Sequence, residues 1–175
     1  MATGSLIKID EEIVTSAVAS VTLGGSDWDS SYDVYMVKFN NVTGSVDSQN
    51  VFLRVLASST PDTSANYDRA RVILRANASF VDSFNTNETK TYIGQQIGTL
   101  SNSQSNGVMY LFNFNNASEY SFATLEETAF RQDGSNHGNQ GGWVHTVAQA
   151  CNGVQIYMNS GNLLSGTFTL YGLKK

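Results

Sequence analysis

The feature that most constrains this chain is its rhythm: short β-branched and aromatic runs, each cut off by a cluster of Gly, Asn, Ser and Asp. Such runs satisfy a pleated backbone, and the clusters supply turns, so the pattern reads as many short strands in a sandwich or barrel. Strands are expected at 6–9, 17–23, 34–39, 51–57, 67–76, 108–114, 120–126, 143–147, 154–158 and 166–173. Loops are expected at 24–31, 40–50, 58–65, 98–107, 133–142 and 159–165. The clearest alternation is Tyr67-Asp68-Arg69-Ala70-Arg71-Val72-Ile73-Leu74-Arg75-Ala76. Successive side chains of a strand point to opposite faces, which puts Ala70, Val72, Leu74 and Ala76 on one side and Arg69, Arg71, Ile73 and Arg75 on the other. The expectation is a half-buried strand whose arginines form an exposed basic stripe.

Other runs are apolar on both faces: Val34-Tyr35-Met36-Val37-Lys38-Phe39, Val51-Phe52-Leu53-Arg54-Val55-Leu56 and Val108-Met109-Tyr110-Leu111-Phe112. An antiparallel sheet in a two-layer sandwich normally wets one face. Helical cover for the second face is scarce, since only Val144, Val147, Ala148 and Cys151 fit a helical spacing, between Gly141-Gly142 and Asn152-Gly153. The cover is therefore expected from another copy or a neighbouring protein, with Val37 and Leu111 as apolar contacts and Arg69, Arg71 and Arg75 answering acidic groups across an interface.

Composition narrows the partners. The 175 residues suit a single β-sandwich domain over 1–175, and 41% hydrophobic residues allow a substantial core. A net charge of −5 repels phosphate backbones and anionic lipid, so neither nucleic acid nor membrane is an expected partner. No apolar run approaches the roughly 20 residues needed to span a bilayer. The opening Met1-Ala2-Thr3-Gly4-Ser5-Leu6-Ile7-Lys8 lacks the layout of a signal peptide, and use without export is expected. Cys151 stands alone, which leaves no intrachain disulfide and no cysteine cluster for zinc.

The search for chemistry returns little. There is no nucleophile elbow, zinc-protease helix, phosphate loop or dinucleotide fingerprint. His145 and Cys151 have the residue types of a base and a thiol nucleophile, but no orienting motif surrounds them. Asp27-Trp28-Asp29-Ser30-Ser31-Tyr32-Asp33 gathers carboxylates without the glycine and closing glutamate of a calcium loop, and reads as a solvated turn. Glu119, Glu126 and Glu127 read as surface acids. The expectation is no catalytic residue, no metal and no cofactor. The most suggestive stretch is the loop Asp133-Gly134-Ser135-Asn136-His137-Gly138-Asn139-Gln140-Gly141-Gly142-Trp143. Its His137, Asn139, Gln140 and Trp143 are the residue types that bind sugars, with amides and imidazole for hydroxyls and an indole for the ring face.

The closing run Gln155-Ile156-Tyr157-Met158-Asn159-Ser160-Gly161-Asn162-Leu163-Leu164-Ser165-Gly166-Thr167-Phe168-Thr169-Leu170-Tyr171-Gly172-Leu173 resembles the last segment of a family of virion structural proteins. These are encoded mainly by marine and cyanobacterial phages, with the core motif S-G-N-x-x-S-G-T-F-T-L-Y-G-L. Ser31-Tyr32-Asp33-Val34-Tyr35-Met36-Val37-Lys38-Phe39, Asn50-Val51-Phe52-Leu53-Arg54-Val55 and Asn113-Phe114-Asn115-Asn116-Ala117-Ser118-Glu119-Tyr120 resemble earlier parts of the family in the same order. The resemblance implies an all-β particle component with no catalytic motif, placed on the virion after assembly in the host cytoplasm.

The resulting expectation is a two-sheet antiparallel β-sandwich of jelly-roll character. It would serve as a non-enzymatic virion subunit: a fibre, tail, collar or capsid-surface component packed against other virion proteins and its own copies, as a trimer by analogy with phage fibres. The alternative is a lectin-like receptor-binding tip that recognises a host surface glycan. An enzyme that degrades host glycans stands third.

Overall fold

A computed structural model describes residues 5–173 and contains two antiparallel sheets packed face to face. Thirteen strands follow one another: β1 (Leu6–Val14), β2 (Ser20–Gly24), β3 (Val34–Gly44), β4 (Gln49–Ala57), β5 (Thr60–Pro61), β6 (Tyr67–Arg75), β7 (Val81–Glu88), β8 (Thr91–Ile97), β9 (Ser105–Phe112), β10 (Ser121–Phe130), β11 (Asn136–His145), β12 (Gly153–Met158) and β13 (Leu163–Leu173). The larger sheet runs β1-β13-β3-β9-β10-β11-β6-β7. The smaller runs β2-β12-β4, with β8 and the short β5 both paired to the other side of β4.

The jelly-roll character lies in four nested pairings. β1 pairs with β13, β2 with β12, β3 with β9 and β4 with β8, each antiparallel. The chain is thus folded back on itself, and its doubled ribbon wraps into two four-stranded layers, β1-β13-β3-β9 and β2-β12-β4-β8. Two additions interrupt this plan: β6–β7 before β8, and β10–β11 before β12. All four of these strands join the larger sheet beside β9, so that it overhangs the smaller one.

The core lies between the layers. Tyr35, Val37 and Phe39 of β3 meet Leu53 and Val55 of β4, Met109 and Leu111 of β9, Ile156 of β12, and Phe168 and Leu170 of β13. Val37 and Leu111 are therefore interior residues of one copy, not contacts with a neighbour. The period-two geometry turns their side chains inward and leaves Met36 and Tyr110 on the outer face of the same strands. The closing motif forms a turn at Gly161, whose φ of 73° suits glycine, and then β13, the strand held between β1 and β3. Gly172 lies directly under the Tyr32 ring, where an added Cβ would come within 2.3 Å of it.

Two sequence expectations change here. The segment 133–142 is not a loop: most of it is β11, paired with β10 on one side and β6 on the other. Its glycines serve close backbone approach, since a Cβ on Gly141 would stand 2.3 Å from the Ala70 carbonyl oxygen and one on Gly142 2.5 Å from that of Ala123. In β6 the buried face is the opposite of the one expected. Tyr67, Arg69, Arg71 and Ile73 point in, while Ala70 is exposed. Tyr67 fixes the sense: its hydroxyl accepts from the Val55 amide at 3.1 Å and donates to the Asp62 carbonyl at 2.9 Å. A strand with one residue locked inside has no second choice of face.

Candidate functional site

The overhang creates two distinct surfaces. Its inner side, beside the edge of β8, carries a buried polar cluster. β10 alternates strictly, so Ser121, Ala123, Leu125, Glu127 and Ala129 all point inward. Glu127, read from the sequence as a surface acid, is in fact buried. Its carboxylate accepts from the Ser105 hydroxyl at 2.6 Å and from the Asn139 amide nitrogen. Asn139 accepts in turn from Arg71 Nη1 at 2.9 Å. Burial pushes the Glu127 carboxyl up to about 7 despite these donors and the nearby Arg71. Burial likewise pulls the Arg71 guanidinium down to about 10, with the charge of Arg69 acting in the same direction. Further along, Arg131 Nη1 donates to His137 Nε2 at 2.9 Å and Nη2 pairs with Asp133 at 3.1 Å. Burial first, then Arg131 and Arg75, lower the imidazole pKa of His137.

The outer side of the overhang carries a mainly apolar depression. Phe84 of β7 and Phe122 of β10 form two walls, 74% and 45% exposed, and Ala70, Gly142 and Val144 lie between them. The depression they enclose is about 530 Å³, with Asp68, Asn85 and Thr86 at its rim. The register explains the shape: Phe84 faces Ala70, Ala70 faces Gly142, and Gly142 faces Thr124, so small residues make the floor. Phe80, Tyr110 and Phe130 are further exposed aromatics in this part of the chain. β1 and β7 are the edges of the larger sheet, each with a strand on one side only among the described residues, and Leu6, Ile7 and Ile13 lie exposed along β1.

The four sugar-site candidates do not come together. His137, Asn139 and Trp143 point inward and are buried, while Gln140 points outward from the same strand. Trp143 is a core residue whose indole N–H donates to the Met109 sulfur at 3.3 Å. As a group they cannot meet a surface glycan, because period two divides them between opposite faces. The arginine stripe is corrected in the same way: Arg69 and Arg71 are buried, and Arg75 shares their inward face in part.

The remaining candidates have plain structural partners. His145 Nε2 lies 2.7 Å from Asp62 Oδ2, and Asp62 is held well below the usual carboxylate range by donors from Asn66, Ser64 and His145 that outweigh its desolvation. Cys151 contacts the Ser121 hydroxyl at 3.6 Å, and burial raises its thiol pKa, which disfavours the nucleophilic thiolate. In the acidic turn, Asp29 accepts from the Ser31 amide at 2.9 Å. Among the described residues, no group of three or more His, Cys, Asp or Glu is placed to hold a metal ion.

Compared with known proteins, the chain matches no family model and no curated protein sequence.

Sequence reasoning missed β7 and β8 altogether, and with them Phe84 and Tyr92. β7 reads Val81-Asp82-Ser83-Phe84-Asn85-Thr86-Asn87-Glu88, with too few apolar residues to signal a strand, because neither of its faces is buried. The signal available was Thr91-Tyr92-Ile93, a β-branched and aromatic run after the turn residues Asn87 to Lys90.

Proposed function

We propose that this chain is a non-enzymatic structural subunit of a bacteriophage particle, building an appendage or surface decoration by packing against its own copies and neighbouring virion proteins. The observation that carries the reading is the uncovered depression between Phe84 and Phe122 on the outer face of the overhang, beside the edge strand β7. Contiguous apolar surface of this kind marks a protein contact more often than an idle surface. The total accessible surface, 8121 Å², is close to the roughly 8400 Å² expected for a compact monomer of this mass, so the composition of the surface sets it apart and not its extent. Full burial of a side chain such as Phe84 contributes roughly 1.5–3 kcal/mol. A few such anchors over about 800 Å² per partner suffice for a stable interface. The resemblance of the closing motif to phage structural proteins supplies the virion setting, and analogy with phage fibres and spikes suggests three copies. The contact residues are Phe84, Phe122 and Tyr110 in place of the interior Val37 and Leu111.

Light scattering on the purified protein tests the reading, with the wild type expected at a multiple of the single-chain mass. Phe84→Glu should shift it toward one chain while the far-ultraviolet circular dichroism of the β-sandwich persists. A wild type that scatters as one chain at micromolar concentration overturns the packing argument.

A further inference from the structure

Two positive charges are buried between the sheets with no counter-charge bonded to them. Arg69 and Arg71 stand on the inward face of β6, only 8% and 7% exposed. Their guanidinium carbons lie over the same Tyr92 ring of β8, 4.3 and 4.8 Å from its centre. Arg71 is partly served, donating from Nη1 to Asn139 at 2.9 Å and from Nε to the Ser83 hydroxyl at 3.4 Å. Arg69 is not: its Nε and Nη1 are buried without any acceptor. The carboxylates whose fields reach the pair are engaged elsewhere. Glu88, which attracts Arg69, accepts from the Asn85 amide, and Glu127, which attracts Arg71, accepts from Ser105 and Asn139. A buried cation in this position is strongly unfavourable, and the face of one phenol ring offsets only part of that cost.

We infer that Arg69 and Arg71, stacked over Tyr92 where β6 faces β8, bind a small oxyanion through their guanidiniums. The class follows from the donors. A guanidinium donates charge-assisted hydrogen bonds to the oxygens of a sulfate, a phosphate or a carboxylate, and Arg69 Nε and Nη1 both lack an acceptor. Both side chains remain cations at neutral pH even though burial lowers their pKa values. The site is independent of the outer-face assembly, since it lies on the opposite side of the same strand.

The test is thermal unfolding of the full chain, titrated with sodium sulfate, phosphate or acetate against sodium chloride at constant ionic strength, with calorimetry for direct binding. A saturating rise in Tm is expected, unlike the non-saturating effect of salts excluded from protein surfaces. Arg69→Met should weaken the interaction about tenfold or more, in line with the loss of charge-assisted hydrogen bonds. Lys38→Met, which removes an exposed cation elsewhere, should leave it unchanged. Arg69→Lys keeps the charge without the guanidinium and should also weaken it, which preserves the test if the Met variant does not fold. Saturation by acetate alone identifies the anion as a carboxylate. No saturating response to any of the three, or one undiminished in the Arg69 variants, overturns the assignment.

Discussion

Replacing Glu127 by Gln gives a sharp test of the interior electrostatics. The carboxyl stands at about 7 in the folded chain against an ordinary value of 4.5. Each unit between folded and unfolded values corresponds to about 1.4 kcal/mol, so the whole difference is worth roughly 3 kcal/mol. The sign follows from proton binding. Below about pH 4.5 both states hold the proton and the fold carries no penalty. As pH rises, the unfolded chain releases its proton first, and stability falls until the folded carboxyl also ionises near pH 7. His137 acts in the opposite direction, because burial lowers its pKa in the fold, so the unfolded imidazole takes up a proton first as pH falls below its ordinary 6.5. Asp62, held low, keeps its stabilising bonds throughout this range. The quantity to measure is therefore the difference between variant and wild type, in which those contributions cancel. Urea unfolding followed by the fluorescence of Trp28 and Trp143, at intervals from pH 5 to pH 8, supplies it. Glu127→Gln should gain on the wild type by most of that roughly 3 kcal/mol as pH rises. A constant offset is expected in addition, because the Gln amide group cannot accept from both Ser105 and Asn139. A difference that stays flat with pH refutes the assignment of a raised carboxyl to this position.

Other substitutions separate interior from surface. Leu111→Ala should cost about 2–5 kcal/mol in urea unfolding while leaving the association state of the folded protein unchanged, since Leu111 lies inside one copy. Phe84→Glu should do the reverse, lowering the mass seen by light scattering with little loss of single-chain stability. Gly172→Ala should destabilise by about 1–3 kcal/mol, because the rigid Tyr32 ring would have to leave its seat on β13; an unchanged Tm would show that the seat is loose.

Much of the architecture was legible because the core strands are β-branched and aromatic runs bounded by turn residues. The two-sheet fold class, and strands at β3, β4, β9, β12 and β13, followed from runs such as Val51–Leu56 and from the turn chemistry between them. The both-faced apolar runs were read correctly as a pattern, but the faces were assigned wrongly. Val37 and Leu111 belong to the core, and the outer apolar contribution comes from Met36 and Tyr110. In β6 the alternation defined two faces without saying which was inside, and hydrophobicity pointed to Val72 and Leu74. What decided it was Tyr67, whose hydroxyl bonds to Val55 and Asp62 exist only once β4 and β6 lie together. β11 looked like a loop because glycine and asparagine usually mark turns. Here the glycines make room for neighbouring backbones, and Asn139 satisfies a buried carboxylate. The same reasoning missed the buried state of Glu127, since no local pattern distinguishes an inward acid with three-dimensional partners from a wet one.

The nested pairings also set an order of events for the nascent chain. Among the described residues β1 has one strand partner, β13, which joins Leu6 to Leu173, and β3 needs that same strand on one flank. Until residues 163–173 emerge, β1 is cut off from the rest of the larger sheet and one edge of β3 is bare, so these early strands wait with unsatisfied amides. Distant closure of this kind makes folding slow and leaves sticky intermediates while synthesis continues. Truncation within the last ten residues of β13 should therefore yield aggregated product instead of a smaller soluble domain, even though most of the side chains that build the interior would already be present.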